Sequence, residues 1–269
     1  MSAYGRKAAP SRRVGELGGE QVEGLQAVRL LLSTGHRPVR KLWVSEARGP
    51  GELLTGVIEL ARRQGVPVEL RSNDAIAAAS VTGASQGAIA WAAPVSALSV
   101  GDLLRKAGSS PFLVVLDGVT DPGNFGAVLR TAACAGVQGV VIGRHRSAAL
   151  TPAAVKAAAG AVELVPIAQA AGIPAALSEL SASGVWVAGL APEAREDLWS
   201  SSLLDGPVAL VLGSEGSGIS RLARQRCDVL LKVPQAGALG SLNVAAAAAV
   251  GCFEVARRRW GGRAELSTC

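Results

Sequence analysis

Asn124 and Arg130 are the first residues of this 269-residue chain whose types and spacing suggest chemistry. They lie in DGVTDPGNFGAVLRT, residues 117–131, where an apolar strand runs into a turn and a helix is predicted to begin. An Asn amide donates and accepts hydrogen bonds, and a guanidinium holds phosphate oxygens or a developing anion. The same residues also fit a structural interpretation, in which Asn124 caps the helix and Arg130 is a surface cation.

Glu215 lies in a second unusual stretch, VLGSEGSGIS at residues 211–220, a glycine-rich turn between a predicted strand and a predicted helix. The turn lacks the Lys-Ser/Thr pair of a phosphate-binding P-loop and the glycine order of a dinucleotide-binding loop. Glu215 also fits a structural role, because a carboxylate is stabilised near a helix N-terminus. On its own, this turn does not identify a ligand.

The third stretch is VPQAGALGSLNVAAAAAVGCFEVARR, residues 233–258. Pro234 is predicted to end a strand, and Ser241 to cap a long helix with an alanine-rich face. Ordinary close helix packing explains the alanines. It does not explain why Ser241 and Asn243 flank Leu242 directly after a glycine-rich loop.

The composition limits the classes of function. A formal net charge of +6, mostly from arginine, favours a polyanionic partner, although a GC-rich genome would also enrich arginine and alanine. The chain has two histidines and four cysteines, and the cysteines lack C-x-x-C spacing, so we expect no metal site. We also expect a reduced cytoplasmic protein. The cysteines are Cys134, Cys227, Cys252 and Cys269. The N-terminus lacks the apolar core of a secretory signal, and polar residues interrupt the uncharged run 75–101, so we expect no membrane segment.

The elements around these residues predict two α/β domains. Short helical and strand patterns fill the front half, and after it the continuous apolar runs FLVVL, GVVIG, ELVPI, VWVAG, VALVLG and VLLKV alternate with alanine-rich helices. Such runs are typical of parallel strands buried on both faces, whose carboxyl ends form the ligand site. We expect a flexible basic arm at 1–18, a substrate-binding domain at 19–95, a partly helical linker at 96–110, a catalytic domain at 111–262 and a tail at 263–269.

Taken in order, the three stretches resemble the motifs of the SpoU/TrmH family of RNA ribose 2'-O-methyltransferases. N-F-G-A-V-L-R is similar to the first motif, L-V-L-G-S-E-G-S-G-I-S to the second, and V-P with G-S-L-N-V-A-A-A-A-A-V to the third. The likeness as a whole spans essentially all of residues 110–260. The front half is similar to the family's substrate-binding domain, with G-L-Q-A-V at 24–28 and S-Q-G at 85–87 matching less fully. The nearest likeness is to bacterial enzymes that methylate a guanosine ribose in large-subunit ribosomal RNA.

The resemblance implies a fold and a cofactor. The fold is α/β, with a C-terminal trefoil-knotted parallel-sheet domain of the SPOUT type and a smaller N-terminal L30e-like α/β domain. The cofactor is S-adenosylmethionine, held by backbone groups in the knot. The residues implied to bind it are Gly189, Leu190, Leu212, Gly213, Gly216, Val233, Pro234, Leu242 and Asn243.

The resemblance also implies residue roles and partners. The catalytic set is Asn124, Arg130, Glu215, Ser241 and Asn243. The family assigns Arg130 as the base, but a guanidinium is very hard to deprotonate, so we expect a cation that stabilises the alkoxide. We expect a homodimer through the C-terminal domain and RNA contacts from the front; the expected RNA-binding residues are Arg6, Lys7, Arg12, Arg13, Arg37, Arg40 and Lys41.

Several alternatives stay open from the sequence. Ser85-Gln86-Gly87 and Gln26 depart from the His-Gln-Gly and His or Asn of many relatives, which leaves the RNA target open. Ribosomal RNA, transfer RNA and a methylation that protects against an antibiotic share the same C-terminal motifs. A knotted protein that binds RNA without methylating it would be expected to lack Asn124 or Arg130. A small-molecule nucleotide-binding protein would need a phosphate motif, and the chain shows none.

Overall fold

The computed structural model describes residues 15–46, 51–237 and 239–260, and the front part of this range folds around a four-stranded sheet. Its strands are β1 (Gln21–Glu23), β2 (Val39–Ser45), β3 (Val68–Arg71) and β4 (Ala88–Ala92), and its helices are α1 (Leu25–Thr34), α2 (Glu52–Arg63) and α3 (Asn73–Ala79). The strand order is β1-β4-β2-β3, with β4 antiparallel to both neighbours and β2 parallel to β3. Alternate residues such as Leu42, Val44 and Ala90 enter the core against α1 and α2.

The larger domain contains a seven-stranded sheet in which every neighbouring pair is parallel. Its strands are β5 (Phe112–Asp117), β6 (Gly139–Gly143), β7 (Ile167–Ala170), β8 (Trp186–Leu190), β9 (Glu196–Asp197), β10 (Val208–Gly213) and β11 (Val229–Lys232). Its helices are α4 (Val100–Ala107), α5 (Pro122–Cys134), α6 (Pro152–Ala158), α7 (Ile173–Ala182), α8 (Arg221–Arg224) and α9 (Val244–Trp260), with 3-10 turns at Ala161–Glu163 and Ser202–Asp205. The prediction of an α/β fold with a parallel sheet is confirmed.

Helices cover both faces of this sheet, as the continuous apolar runs predict. Along β5, Phe112 and Val114 belong to one buried cluster, whereas Leu113 and Val115 belong to a second cluster on the opposite face. Successive side chains of a strand point to opposite faces, so a strand buried twice must be apolar throughout.

The strand order β7-β6-β5-β10-β8-β11-β9 brings the three motif-bearing segments together. Strand β10 lies between β5 and β8, and β11 lies beside β8. The first motif follows β5, the second follows β10 and the third follows β11. All three segments therefore leave the sheet at the same edge, where open parallel sheets bind ligands.

The expected linker contains a helix that packs into the catalytic domain. Leu103 of α4 is fully buried, and a Cβ at Gly139 would lie 2.3 Å from its Cδ1 atom. Leu98 also bridges to Ala168 of β7 in a parallel register. Most of residues 96–110 therefore belongs structurally to the larger domain.

Arg37 is buried and joins the two domains. Its Nε and Nη2 atoms donate to the two carboxylate oxygens of Glu163 at 3.1 and 2.6 Å, and Nη1 donates to the carbonyls of Gly19 and Ala93 at 2.8 and 2.5 Å. The Arg37 side chain is only 7% exposed. The expectation that Arg37 contacts RNA does not fit this position, because these bonds occupy its guanidinium inside the protein. None of the described helices is both long and apolar enough to cross a bilayer.

Candidate functional site

The N-terminus of α5 is capped by Asp121, which leaves the side chain of Asn124 available. Asp121 Oδ1 accepts a hydrogen bond from the Asn124 backbone N–H at 2.7 Å, and Pro122 occupies the first turn of the helix. An N-cap side chain satisfies one of the orphan N–H groups of a helix, and proline suits the position that follows. The interpretation of Asn124 as the cap is therefore wrong, and its amide needs another explanation.

That amide forms a closed hydrogen-bonded triad with Glu215 and Asn243. Asn124 Nδ2 donates to Glu215 Oε1 at 2.9 Å, and Asn243 Nδ2 donates to Asn124 Oδ1 at 3.0 Å and to Glu215 Oε1 at 2.5 Å. One residue comes from each of the three motifs, and up to 119 residues separate them along the chain. Three polar side chains that meet at a strand-end edge are far more typical of a site than of core packing.

Glu215 is presented by a tight turn that requires glycine. Ser214 and Gly218 exchange backbone hydrogen bonds at 3.1 and 2.9 Å, and Gly216 and Gly218 have φ values of 84° and 64°. A Cβ at Gly213 would lie 2.0 Å from the Gly218 carbonyl carbon. Glycine is therefore needed here both for positive φ and for close approach of the two backbones.

Asn243 also begins α9. Its backbone carbonyl accepts from Ala247 N at 2.9 Å, and its Oδ1 accepts from Ala245 N at 2.8 Å, which is the geometry of an N-cap. The expectation that Ser241 caps this helix is therefore wrong. The Asn243 side chain thus accepts the cap hydrogen bond through Oδ1 and donates to the other two triad residues through Nδ2. These contacts fix the orientation of its amide.

A cavity of about 550 Å³ opens beside the triad. Among the residues expected to bind the cofactor, seven line it: Leu190, Leu212, Gly213, Gly216, Val233, Leu242 and Asn243. Ser241 and Glu215, expected to be catalytic, line it as well. This volume and the mixture of apolar walls with exposed backbone are typical of a small-molecule site.

Gly189 and Pro234 do not line the cavity. A Cβ at Gly189 would lie 2.7 Å from Leu230 Cδ2 and 2.9 Å from Ile219 Cδ1. Ile219 does line the cavity, so the missing side chain at Gly189 allows the cavity wall to pack closely against β8.

Sequence reasoning missed an ion pair at this cavity. Glu193 and Arg224 both line it and form a salt bridge with each other. Glu193 comes three residues after the end of β8, so its place beyond a strand carboxyl end was the available signal. Arg224 in α8 had no comparable signal, because a short helix with several arginines resembles an ordinary solvated surface.

Arg130 is exposed on α5 and is not part of the triad. Within the described residues, its guanidinium makes neither an ion pair nor a hydrogen bond. It is thus available to an external anion, in contrast to the buried Arg37. The structure brings together Asn124, Glu215 and Asn243 of the expected catalytic set, and leaves Arg130 outside their hydrogen bonds.

In the front domain, the two shorter matching segments meet. Gln86 Oε1 accepts from the Leu25 backbone N–H at 3.3 Å, and Gln86 and Gly87 have φ values of 52° and 78°. Gln26 and Arg40 are exposed and Lys41 is partly exposed. The other expected RNA-binding residues, Arg6, Lys7, Arg12 and Arg13, lie outside the described residues.

Two family models match the chain in positions that agree with these sites. The SpoU rRNA Methylase family matches residues 111–253, and the RNA 2'-O ribose methyltransferase substrate binding family matches residues 21–97. The first match contains all three triad residues. The second contains the Gln86–Leu25 contact.

Known proteins resemble the chain over nearly its whole length. The 23S rRNA (guanosine-2'-O-)-methyltransferase RlmB of Pseudomonas putida is 39% identical over 246 residues, which is 89% of this chain and 97% of that protein. An AdoMet-bound rRNA methyltransferase from Sinorhizobium meliloti is 26% identical with a TM-score of 0.73 and covers 88% and 86% of the two chains. The SpoU methyltransferase AviRb from Streptomyces viridochromogenes, 23% identical with a TM-score of 0.76 over 93% and 92%, shares the fold. The chain belongs to the SpoU rRNA methylase family.

Proposed function

We propose that this protein transfers a methyl group from S-adenosylmethionine to the ribose 2'-hydroxyl of a guanosine in 23S ribosomal RNA. The observation that carries the proposal is the Asn124–Glu215–Asn243 triad beside a glycine-walled cavity. The substrate is supported by the P. putida relative, a 23S rRNA (guanosine-2'-O-)-methyltransferase of whose length 97% is covered. Because ribosomal RNA is the substrate, we expect the protein to act in the cytoplasm.

The residues of the cavity fit the cofactor. Leu190, Leu212, Val233 and Leu242 supply apolar walls, and the glycines at 213, 216 and 218 leave backbone N–H and C=O groups accessible. Backbone groups reach a purine edge only where side chains are absent, as at these glycines. When bound, S-adenosylmethionine supplies an electrophilic methyl group on a sulfonium.

The protein's own residues have to assist the attack of the ribose 2'-hydroxyl, which is a poor nucleophile. A ribose hydroxyl must pass its proton to solvent water as its oxygen attacks the methyl carbon, and negative charge develops on that oxygen. Arg130 suits the stabilisation of that charge, because its guanidinium is exposed and has no internal anion within the described residues. A cation that meets both the RNA phosphate and the alkoxide acts without being deprotonated.

The triad positions the reacting groups. Glu215 Oε1 accepts from both asparagine amides, and Asn243 is fixed at the start of α9. Groups held by several hydrogen bonds need little reorganisation when the reaction occurs. We assign Asn124, Glu215 and Asn243 to this positioning role, with Ser241 at the rim of the same cavity.

We further infer a homodimer that pairs through α9. Ala246, Val250 and Phe253 share one side of the helix, and Phe253 is 44% exposed with its ring 6.3 Å from that of Trp260. An apolar stripe with small residues at helical spacing suits close helix packing across a two-fold axis. The trefoil knot expected from the family is likewise a proposal, supported by the passage of the third motif beside the second at the cavity.

The decisive experiment measures where a methyl group goes. The protein and labelled S-adenosylmethionine are incubated in separate reactions with ribosomal RNA and with transfer RNA, both lacking modifications, and alkali-resistant linkages are mapped. A 2'-O-methyl group blocks alkaline cleavage at its linkage, so the label should appear in one resistant dinucleotide of 23S RNA. Label in transfer RNA would identify transfer RNA as the substrate instead. Label in neither RNA would overturn the proposed function.

A further inference from the structure

One face of the front sheet carries two tryptophans away from the domain core. Residues of β2 and β4 alternate, so Leu42 and Ala90 enter the core, whereas Trp43 and Trp91 point to the opposite face. Helix α3 packs across one end of this outer face, where the Ser45 hydroxyl is hydrogen-bonded to Asn73. Both indoles remain partly exposed.

Two cations lie over these rings. The ring centroids of Trp43 and Trp91 are 5.0 Å apart at 69°, and Lys41 Nζ lies 4.7 Å from the first and 4.5 Å from the second. Arg71 Cζ lies 4.7 Å from the Trp43 ring. Glu69, in register with Trp43, is paired with Arg71. We name this cluster of Lys41, Trp43, Arg71 and Trp91 the aromatic platform.

Packing alone does not explain Trp43. Its indole Nε1 is buried and has no hydrogen-bond partner within the described residues. A buried donor without a partner destabilises the folded state, and phenylalanine would fill the same sheet position without that cost. The presence of tryptophan at position 43 despite this cost indicates that the large π-surface of the indole has a function.

We propose that the aromatic platform stacks unpaired nucleobases of the RNA substrate while Lys41 and Arg71 meet the adjoining phosphates. Aromatic faces bind bases by stacking, and a neighbouring cation contacts the backbone that links them. Paired bases hide their faces inside a helix, so the platform selects single-stranded or looped RNA. This assignment relies on the proposed function only in that RNA is the substrate.

Lys41 makes the platform adjustable. Its ammonium stands over both rings, on a flexible stem with four carbons. When a base takes the ring face, the ammonium moves to the phosphate and exchanges one electrostatic contact for another. Arg71 offers a planar guanidinium on which a second base stacks.

The test compares unpaired and paired RNA. Binding of a single-stranded oligouridine and of a blunt RNA duplex of equal length is measured by fluorescence anisotropy, without cofactor, for the full chain and for Trp91→Ala, Trp91→Phe and Trp43→Ala. The matched control is Trp186→Ala, an indole that is 46% exposed on β8 of the other domain. Melting temperatures verify that each variant is folded.

We expect Trp91→Ala to weaken binding of the oligouridine about tenfold, Trp91→Phe to weaken it much less, and duplex binding to stay within about twofold. The Trp186→Ala control should bind both probes normally. Equal losses for both probes would overturn the proposal in favour of a purely electrostatic contact. Unchanged affinity for RNA in a folded Trp91→Ala would also overturn it. Failure of the unaltered protein to methylate ribosomal RNA would remove the proposed function and leave these binding results standing.

Discussion

Arg130 and Asn124 are six residues apart on α5 but meet different surroundings. Six residues turn a helix by roughly 600°, so two such side chains point about 120° away from each other. Asn124 reaches Glu215 and Asn243, whereas Arg130 faces solvent. In the proposed mechanism, positioning by Asn124 and the positive charge of Arg130 would therefore lie on two sides of one helix.

Arg130→Ala should lower methyl transfer far more than cofactor affinity. Loss of one group that stabilises a developing anion typically costs about 3–4 kcal/mol, on the order of a hundred- to a thousand-fold in rate. Arg130→Lys should recover only part of the rate, because an ammonium lacks the planar fork. Single-turnover rates, cofactor affinity and melting temperature are the measurements. Near-normal turnover by folded Arg130→Ala would remove Arg130 from the mechanism.

The triad should behave as one unit in a double-mutant cycle. Asn124→Ala and Asn243→Ala each break the closed set of hydrogen bonds, so the double variant should lose little more activity than either single variant. We expect a coupling energy of about 0.5–3 kcal/mol from single-turnover rates. Asn124→Ala combined with Ser178→Ala, an exposed α7 residue, is the control and should be additive. Additive effects in the Asn124/Asn243 cycle would show that the residues act separately.

At the residue scale, the sequence predicted which side chains come together better than it predicted their individual contacts. Asn124, Glu215 and Asn243 were expected at the site, but Asp121 and Asn243 are the helix caps, because several nearby polar residues satisfy the same capping rule. From the sequence, Arg37 was expected to be an RNA-binding arginine like Arg40. Its burial depends on Glu163, 126 residues away, which no local pattern reveals.

At the element scale, β1 is tied to the segment after α3 through one carboxylate. Glu23 accepts hydrogen bonds from the Ser80 hydroxyl at 2.6 Å, the Val81 N–H at 2.8 Å and the Thr82 hydroxyl and N–H. Burial by itself would raise the pKa of Glu23, but these hydrogen bonds together outweigh it and lower the pKa. The ionised form is therefore favoured in the folded protein.

Glu23→Gln should destabilise the protein at neutral pH by about 2 kcal/mol, because hydrogen bonds to a charged group are lost. Because the pKa of Glu23 is lower in the folded protein than in the unfolded chain, its ionisation stabilises the folded protein at pH values above the unfolded-state pKa of about 4.3. This stabilisation is lost as the pH falls through the folded-state pKa. The difference from the unaltered protein should therefore shrink below about pH 4. Urea unfolding across pH is the measurement, with exposed Glu20→Gln as the control. A difference that stays constant with pH would contradict the assignment.

The elements themselves were largely predictable. Strands buried on both faces appear in the sequence as continuous apolar runs, and β5, β6, β8 and β10 lie where those runs are. β9, with two residues, has no such pattern, and its place beside β11 comes from tertiary pairing alone. α4 was expected within a linker because Gly and Ser follow it, yet its amphipathic face is core.

At the scale of the whole molecule, the proposed dimer depends on α9. Phe253→Asp should convert the dimer to a monomer, because a carboxylate would be buried in an apolar interface without a partner. Light scattering at micromolar concentration gives the mass. Val81→Asp, which alters a residue 66% exposed in the front domain, is the control and should remain dimeric. A monomeric mass for the unaltered protein would contradict the dimer.

RNA affinity should fall steeply with salt, because the chain carries a net charge of +6 and releases counterions from phosphates. Removing residues 1–14, which include Arg6, Lys7, Arg12 and Arg13, should make the slope of log affinity against log salt shallower, by roughly one for each phosphate that these residues neutralise. Filter binding at several salt concentrations measures the slope. An unchanged slope would place RNA binding wholly on the rest of the chain.

The buried Arg37–Glu163 pair gives the enzyme a fixed reach. Both side chains are at most 7% exposed, and Arg37 also donates to two front-domain carbonyls, so hydrogen bonds fasten the two domains to each other at this point. A protein whose two domains are fixed to each other cannot adjust the distance between them to suit different RNAs. If the front domain holds RNA bases as proposed, the folded shape of the RNA would decide which ribose comes to lie at this set distance from them.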